Sequence, residues 1–174
     1  MDLPEVGILS SPHPQGSPTL SPSQCRSLLA GARKLLQAAR SGEPWRPLRG
    51  RNLGLLCELE SSEGAALFRA ACIELGARVA VIHPSLSWRD RPQEVAQTAQ
   101  VLGRLYDAIE CQGLAPALVQ QLRANAGVPV FDGVALPGHA SSALTPQLGE
   151  DWTPGECRRY LLEAAILDAL VPLG

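Results

Sequence analysis

Hydrophobic and polar positions divide the chain into segments with two different periods. Residues 1–20 are rich in Ser, Pro and Gly, and after them apolar residues recur at helical spacing across 28–39. Ser21 offers an N-cap hydroxyl, and Gln24 stands at the capping-box position three residues later. We therefore predict a loose N-terminal arm over 1–20 and a helix that begins after Ser21 and ends near Gly42.

From Asn52 onward, short apolar runs alternate with helical patterns. The predicted strands are NLGLLCE, RVAVIHP, DAIECQG and VPVFDG, and the helices between them are SSEGAALFRAACIELG, PQEVAQTAQVLGRLY and LAPALVQQLRANAG. A last helix is predicted over Pro154–Leu170. Nearly continuous apolar strands that alternate with helices are typical of a parallel sheet. The sequence thus predicts a single doubly wound α/β domain, with a four-stranded parallel sheet and helices on both faces.

Composition narrows the class of protein. A chain of 174 residues can bury one substantial core, and its net charge of −2 gives no electrostatic reason to expect nucleic acid or an anionic membrane as partner. The N-terminus carries no basic segment followed by an apolar core, so no secretory signal is expected. The five cysteines are an odd number without a CxxC pair. We therefore expect reduced, partly buried thiols in a cytoplasmic protein.

Ligands of an open parallel sheet lie beyond the carboxyl ends of the strands. Four segments are predicted to lie at that edge: Glu58–Ala65, Pro84–Pro92, Gln112–Gly113 and Gly133–Ser142. Metal-ligand clusters, nucleophile elbows, Walker loops and dinucleotide fingerprints are not found in the sequence, so we expect neither a metal nor a cofactor.

Three features of this edge have two interpretations each. Ser61, Ser62 and Glu63 open a helix whose free N–H groups would suit a phosphate, but Glu63 places a carboxylate there and could instead complement the helix dipole. His139 is either an ordinary loop residue or a site residue. Trp88 lies in a mixed-charge loop that is either solvated or part of a contact surface.

Several strings in the chain resemble a known family. They are PLRGRNLGLL, ELGARVAVIHPS, QTAQVLGRLYDAI and AGVPVFDG, the last followed by His139. The chain resembles the N-terminal carbamoyl-phosphate-binding domain of the ornithine branch of the aspartate/ornithine carbamoyltransferases, from about Leu20 to Leu144. The resemblance implies the same α/β fold and a site at the carboxyl edge.

The chain departs from this family at positions that the resemblance assigns to ligand binding. The phosphate-binding Ser-Thr-Arg-Thr-Arg motif falls on Ser61-Ser62-Glu63-Gly64-Ala65, so both arginines are replaced. A further family arginine falls on Gln112. The His-Pro-x-Gln motif, which polarises the carbamoyl group, falls on His139 to Ser142, so its glutamine is lost. A glutamine of the loop that reaches a neighbouring subunit falls on Trp88.

The end of the chain also follows the family. GECRRYLLEAAILDAL resembles the family's C-terminal helix, in which Arg158 matches an arginine that contacts the carbamoyl end. Between Leu144 and Thr153 the second family domain, which binds the amino-acid substrate, is missing. We therefore predict an arm over 1–20, a carbamoyl-phosphate-binding-like domain over 21–150, and a helix within 151–174 that packs back on it.

These departures predict a truncated carbamoyltransferase-like protein that is catalytically inactive and binds a small ligand or a protein partner. The alternatives are a carbamoyltransferase-type enzyme completed by another chain, using Ser61, His139 and Arg158, and a decaying gene product without selected activity. Candidate ligand-binding residues are Ser61, Ser62, Glu63, His139 and Arg158. A ligand with an amine or amide could meet Glu63 while its carboxylate met Arg158. The resemblance implies a homotrimer, or mixed oligomers with a full-length carbamoyltransferase.

Overall fold

The computed structural model of the chain describes residues 19–42, 45–84 and 91–171, so the first eighteen residues of the predicted arm lie outside the described part. The first helix begins as predicted. Ser21 is its N-cap, its Oγ accepts the backbone N–H of Gln24, and the Gln24 side chain accepts the N–H of Ser21. Gly42, in the left-handed conformation at φ 71°, ends the helix.

The described elements follow the predicted alternation, and the bounds of the strands and of the helices after β1 differ by at most two residues from those of the sequence patterns. The strands are β1 (Asn52–Cys57), β2 (Arg78–Ile82), β3 (Ala108–Gln112) and β4 (Val130–Asp132). The helices are α1 (Pro22–Ser41), α2 (Glu63–Glu74), α3 (Pro92–Leu105), α4 (Pro116–Ala126) and α5 (Pro154–Leu170). A 3₁₀ helix, which the sequence patterns do not predict, spans Ala140–Leu148.

All described strand pairs are parallel, and their order across the sheet is β2-β1-β3-β4. The first crossover, through α2, therefore steps in one direction, and the crossovers through α3 and α4 step in the other. Because crossovers are right-handed, this reversal puts α2 on one face of the sheet and α3 and α4 on the opposite face. The predicted doubly wound α/β fold is thus confirmed.

Two apolar cores lie on the two faces of the sheet. The larger one joins α1, α2 and α5 to β1 through fully buried residues such as Leu53, Phe68 and Ile166. The smaller one joins α3 and α4 to β3 through residues such as Ile109 and Leu122. Burial on both faces explains why the strand sequences are almost continuously apolar.

The last helix packs against the first. A capping box of Thr153 and Glu156 starts α5, which then runs along α1 and the 3₁₀ helix. The two helices approach so closely at Gly31 that a Cβ there would lie 3.1 Å from the Cβ of Ala164. Five residues, 149–153, connect the 3₁₀ helix to α5, so the close packing of α5 needs only a short connection.

The five cysteines are free thiols, and four of them are buried. Burial raises the pKa of Cys72 above its usual range and that of Cys111 to about 12, so these thiols stay protonated at neutral pH. In the described part of the chain, no helix combines the length and the apolar character needed to cross a bilayer.

Candidate functional site

The strand order places a topological switch point between β1 and β3. The chain leaves β1 toward one face through α2 and leaves β3 toward the other face through α4, so a crevice opens at the carboxyl ends of these two strands. The predicted edge segments 58–65, 112–113 and 133–142 all follow strands that end there. Of the segment 84–92, residues 85–90 lie outside the described residues, and Trp88 is among them.

The start of α2 is built by a local cap. Ser62 is the N-cap, and its Oγ accepts the backbone N–H of Ala65 at 3.1 Å. Glu63 is the first helical residue, so its carboxylate lies beside the positive end of the helix dipole. Ser61 precedes the cap on an exposed turn. Glu63 thus stands in the first turn of α2, and the Ser62 hydroxyl is engaged in capping its own helix.

Arg158 connects three parts of the edge. Its Nη1 donates to Glu63 Oε1 at 2.8 Å, and its Nη2 donates to the carbonyl oxygen of Ala135 at 2.9 Å. The helix α5 is thereby tied to the first turn of α2 and to the loop after β4. Because the Glu63 side chain is 76% exposed, the ion pair itself contributes only about 0–1 kcal/mol to stability. The effect of the ion pair is on local charge, because the carboxylate of Glu63 offsets the positive charge of the Arg158 guanidinium.

Two side chains fill the space against the first turn of α2. A Cβ built on Gly64 would lie 2.7 Å from Leu136 Cδ2 and 3.3 Å from Gln112 Oε1. Gln112 is buried, and Leu136 is half-buried. Leu136 and Gln112 thus pack directly against Gly64, and a larger residue at position 64 would have to displace the ends of these two side chains.

Ala65 lies inside the core rather than at the crevice. It is fully buried and packs in the larger core. The resemblance assigns this position to an arginine, whose charge would be costly in such an environment. Alanine here is therefore consistent with the packing around it.

Glu110 is a residue of this region that the sequence analysis missed. It lies on β3, is fully buried, and accepts hydrogen bonds from Gln112 Nε2 at 3.2 Å and from the backbone N–H groups of Val134 at 3.3 Å and Ala135 at 3.4 Å. Burial raises the pKa of Glu110 to about 8, although these donors oppose the shift. The sequence feature that could have revealed Glu110 is the presence of an acid in the middle of the predicted apolar strand DAIECQG.

His139 caps the 3₁₀ helix. Its Nδ1 accepts the backbone N–H of Ser141 at 3.3 Å and lies 2.8 Å from Ser141 Oγ, which places the ring proton of the neutral form on Nε2. Burial lowers the pKa of His139 below its usual value, so the ring is neutral at pH 7. Ser142 is half-buried and donates its N–H to the His139 carbonyl at 3.0 Å.

At this edge some of the predicted site residues are in contact with each other and others are not. Glu63 and Arg158 are brought together, but as partners of each other rather than as two groups open to one ligand. Ser62 and His139 are engaged in caps of separate elements. That these residues bind a ligand stays a prediction.

Comparison with known proteins agrees with this architecture. Residues 16–145 match the family model described as "Aspartate/ornithine carbamoyltransferase, carbamoyl-P binding domain". A catabolic ornithine carbamoyltransferase of Chromobacterium violaceum is 38% identical over 129 residues, which are 74% of this chain and 38% of that protein. One of Mycoplasma capricolum subsp. capripneumoniae is 36% identical over 124 residues, or 71% of this chain and 40% of that protein. The chain thus spans about two fifths of the length of these relatives.

Solved structures share the fold. An ornithine carbamoyltransferase from Pyrococcus furiosus superposes with a TM-score of 0.60 at 25% identity, covering 72% of this chain and 40% of that one. The catalytic subunit of aspartate transcarbamoylase from M. jannaschii gives a TM-score of 0.61 at 17% identity, covering 75% of this chain and 45% of that one, which bears on the fold alone.

Proposed function

This chain belongs to the aspartate/ornithine carbamoyltransferase family, and we propose that it is a non-catalytic member that acts by binding rather than by carbamoyl transfer. The observation that carries this proposal is the closed edge at the start of α2. There Glu63 neutralises Arg158, and Leu136 and Gln112 fill the space next to Gly64.

Electrostatics supports the proposal. A phosphate dianion depends on charge-assisted hydrogen bonds, and each one lost removes about 1.5–3 kcal/mol of binding free energy. At this edge the guanidinium of Arg158 already bonds to a carboxylate. A dianion at the first turn of α2 would also be repelled by Glu63, whose carboxylate occupies the favourable end of the helix dipole.

We therefore predict that neither carbamoyl phosphate nor inorganic phosphate binds to the wild-type chain at low salt. The double variant Glu63→Gln/Leu136→Ala frees Arg158 and opens the space at Gly64, and we expect it to bind phosphate with a dissociation constant of about 1 mM. Titration calorimetry measures both results. The matched control is Glu60→Gln, since Glu60 is an exposed acid of the same loop that bonds to His83 instead.

Micromolar binding of carbamoyl phosphate to the wild-type chain would contradict the proposal. It would favour the alternative, an enzyme completed by another chain, in which Arg158 leaves Glu63 to contact a substrate. The two can be separated by an assay of carbamoyl transfer to ornithine in the presence of a full-length ornithine carbamoyltransferase. Under the present proposal, adding the chain contributes no activity of its own.

Assembly is a second part of the proposal. The strand β2 is an edge strand of the described sheet, and apolar side chains such as Val101 and Leu105 on α3 are more than half exposed. Exposed apolar surface often marks an interface. We predict a trimer, with a mass of three chains by light scattering after size exclusion. A monomer at micromolar concentration would contradict this and favour association with a full-length carbamoyltransferase.

A further inference from the structure

A second surface lies at the amino-terminal ends of β1 and β2, at the opposite edge of the sheet from the candidate site. Residues 45–51 lead into β1 there, and residues 73–78 join the end of α2 to the start of β2. The two segments are tied together by the backbone N–H of Arg78, which donates to the carbonyl oxygen of Arg51 at 2.9 Å. We call the surface formed by these two segments the amino edge.

Gly76 allows the two segments of the amino edge to approach closely. Its φ of 91° lies in the left-handed region, and a Cβ built on it would lie 2.9 Å from the Cβ of Arg46 and 3.3 Å from the backbone nitrogen of Arg49. Arg78 follows two residues later and begins β2. Three arginines from two separate segments therefore lie around one glycine.

These three arginines carry positive charge that the described residues do not balance. All three are exposed, and their guanidinium groups form no ion pair or hydrogen bond with any described residue. Two acids nearby are engaged elsewhere, because Asp107 accepts Nη1 of Arg51 at 2.6 Å and Glu74 accepts Nη1 of Arg159 at 3.0 Å. The amino edge is therefore a positive region on a chain whose net charge is −2.

Exposed apolar side chains flank the arginines. Trp45 directly precedes Arg46 and is 44% exposed. Ile73, in the last turn of α2, is 61% exposed, and its carbonyl oxygen accepts the N–H of Gly76 at 3.0 Å. Tryptophan and arginine are the residues that contribute most to protein–protein binding, whereas a nucleic-acid backbone would pair with the arginines and leave Ile73 in water. The combination of charges and apolar groups thus fits a protein segment.

We propose that the amino edge binds an acidic segment of a partner protein, in which carboxylates flank a large apolar side chain. The carboxylates pair with the three arginines, whose planar guanidinium groups match carboxylate oxygens, and the apolar side chain lies against Trp45 and Ile73. This inference goes beyond the proposed function and does not depend on the state of the carboxyl edge. The exposed Val101 and Leu105, which support the predicted trimer, lie on α3 at the opposite face of the sheet from α2.

The contacts of the arginines also predict that binding and folding can be separated. Because the guanidinium groups of Arg49 and Arg78 bond to no described residue, the double variant Arg49→Gln/Arg78→Gln removes charge without removing a contact that holds the fold. We therefore expect its free energy of unfolding, measured with urea, to equal that of the wild type. A structural role of the arginines would lower it.

The probe is the peptide EEELEEE with blocked ends, titrated into the full chain by calorimetry at low salt. We expect a dissociation constant of about 0.1 mM, and about tenfold weaker binding when salt is raised to about 0.5 M, because exposed charges are screened. The peptide QQQLQQQ should not bind, because it lacks the carboxylates. The peptide EEEGEEE should bind about fivefold more weakly, because it lacks the side chain that covers the apolar residues.

Variants of the chain assign the binding to the amino edge. Arg49→Gln and Arg78→Gln should each weaken EEELEEE about threefold, and together about tenfold. Ile73→Ser should remove most of the advantage of EEELEEE over EEEGEEE. The matched control is Arg26→Gln, at an exposed arginine of α1 about 22 Å along the helix from its C-terminal end, and it should leave the affinity within about twofold.

The proposal is overturned if EEELEEE does not bind at millimolar concentration, or if its affinity is unchanged in Arg49→Gln/Arg78→Gln. It is equally overturned if that variant is clearly less stable than the wild type, since the arginines would then be structural. Tighter binding of oligothymidylate than of EEELEEE, lost in the same variant, would overturn it in favour of a phosphate-binding surface. Carbamoyl phosphate is tested at the other edge of the sheet with Glu63 and Leu136 variants, so failure of one proposal leaves the other intact.

Discussion

Replacing Gly103 by alanine is expected to destabilise the fold by about 3 kcal/mol, although alanine is the better helix former. Gly103 lies in α3, and a Cβ there would overlap the carbonyl oxygen of Ala126, the last residue of α4. The obstacle is backbone, which cannot rotate away as a side chain can. The variant must separate α3 from α4 and loosen the smaller core.

The matched control is Gly155→Ala in the first turn of α5. A Cβ there meets nothing within 4 Å, so we expect no loss of stability and a gain of up to about 1 kcal/mol from helix propensity. Urea unfolding followed by circular dichroism measures both free energies. An equal gain for the two variants would show that the close approach of α3 and α4 does not limit stability.

The variant Glu110→Gln is expected to be less stable than the wild type at pH 5 and more stable than the wild type at pH 8.5. Burial holds the pKa of Glu110 at about 8 in the folded chain, against about 4.5 for a free glutamate. A raised pKa means that the folded state binds the proton more tightly. Its contribution is therefore complete below pH 4.5 and is lost as pH rises through 8, by a total on the order of 4 kcal/mol.

Glutamine cannot ionise, so the variant should lose none of this contribution. At pH 5 it should be about 1 kcal/mol less stable than the wild type, because an amide nitrogen then meets one of the N–H groups of Val134 and Ala135. At pH 8.5 it should be more stable by a few kcal/mol. Glu163, whose pKa is also raised to about 8, and His139 titrate in both proteins and cancel in the difference.

Urea unfolding at pH 5, 7 and 8.5 provides the comparison, with Glu150→Gln as the control for loss of an exposed negative charge. Parallel curves of stability against pH for the wild type and Glu110→Gln would contradict the assignment. They would mean that the three donors around Glu110 outweigh its burial and keep it ionised.

The order of elements could be predicted from the sequence because it depends on residues close together in the chain. The capping box of Ser21 and Gln24 involves residues three apart, and the apolar run from Leu53 to Cys57 is continuous within one strand. The strings shared with the carbamoyltransferases are likewise short runs of 8 to 13 consecutive residues, and the family match over residues 16–145 confirms the resemblance. Such local signals were sufficient for the fold class and for locating the carboxyl edge of the sheet, where we propose the site.

The state of the site was decided by tertiary structure. Glu63 and Arg158 are 95 positions apart, and they meet only because α5 returns across the face that carries α2. The sequence suggested that each could contact a ligand, whereas the fold pairs them with each other. Gln112 and Leu136 fill the space at Gly64 because the β2-β1-β3-β4 order brings the ends of β1 and β3 side by side.

The sequence pattern also could not predict which acidic residues are buried. Glu110 and Glu163 look like ordinary acids in a strand and a helix, and their exposure depends on how many neighbours the assembled layers place around them. Hydrophobic periodicity and helix caps depend on residues a few positions apart, so the sequence alone determined the helices and strands and their alternation. Ion pairs, filled crevices and raised pKa values arise between distant elements, so only the packed structure decided them.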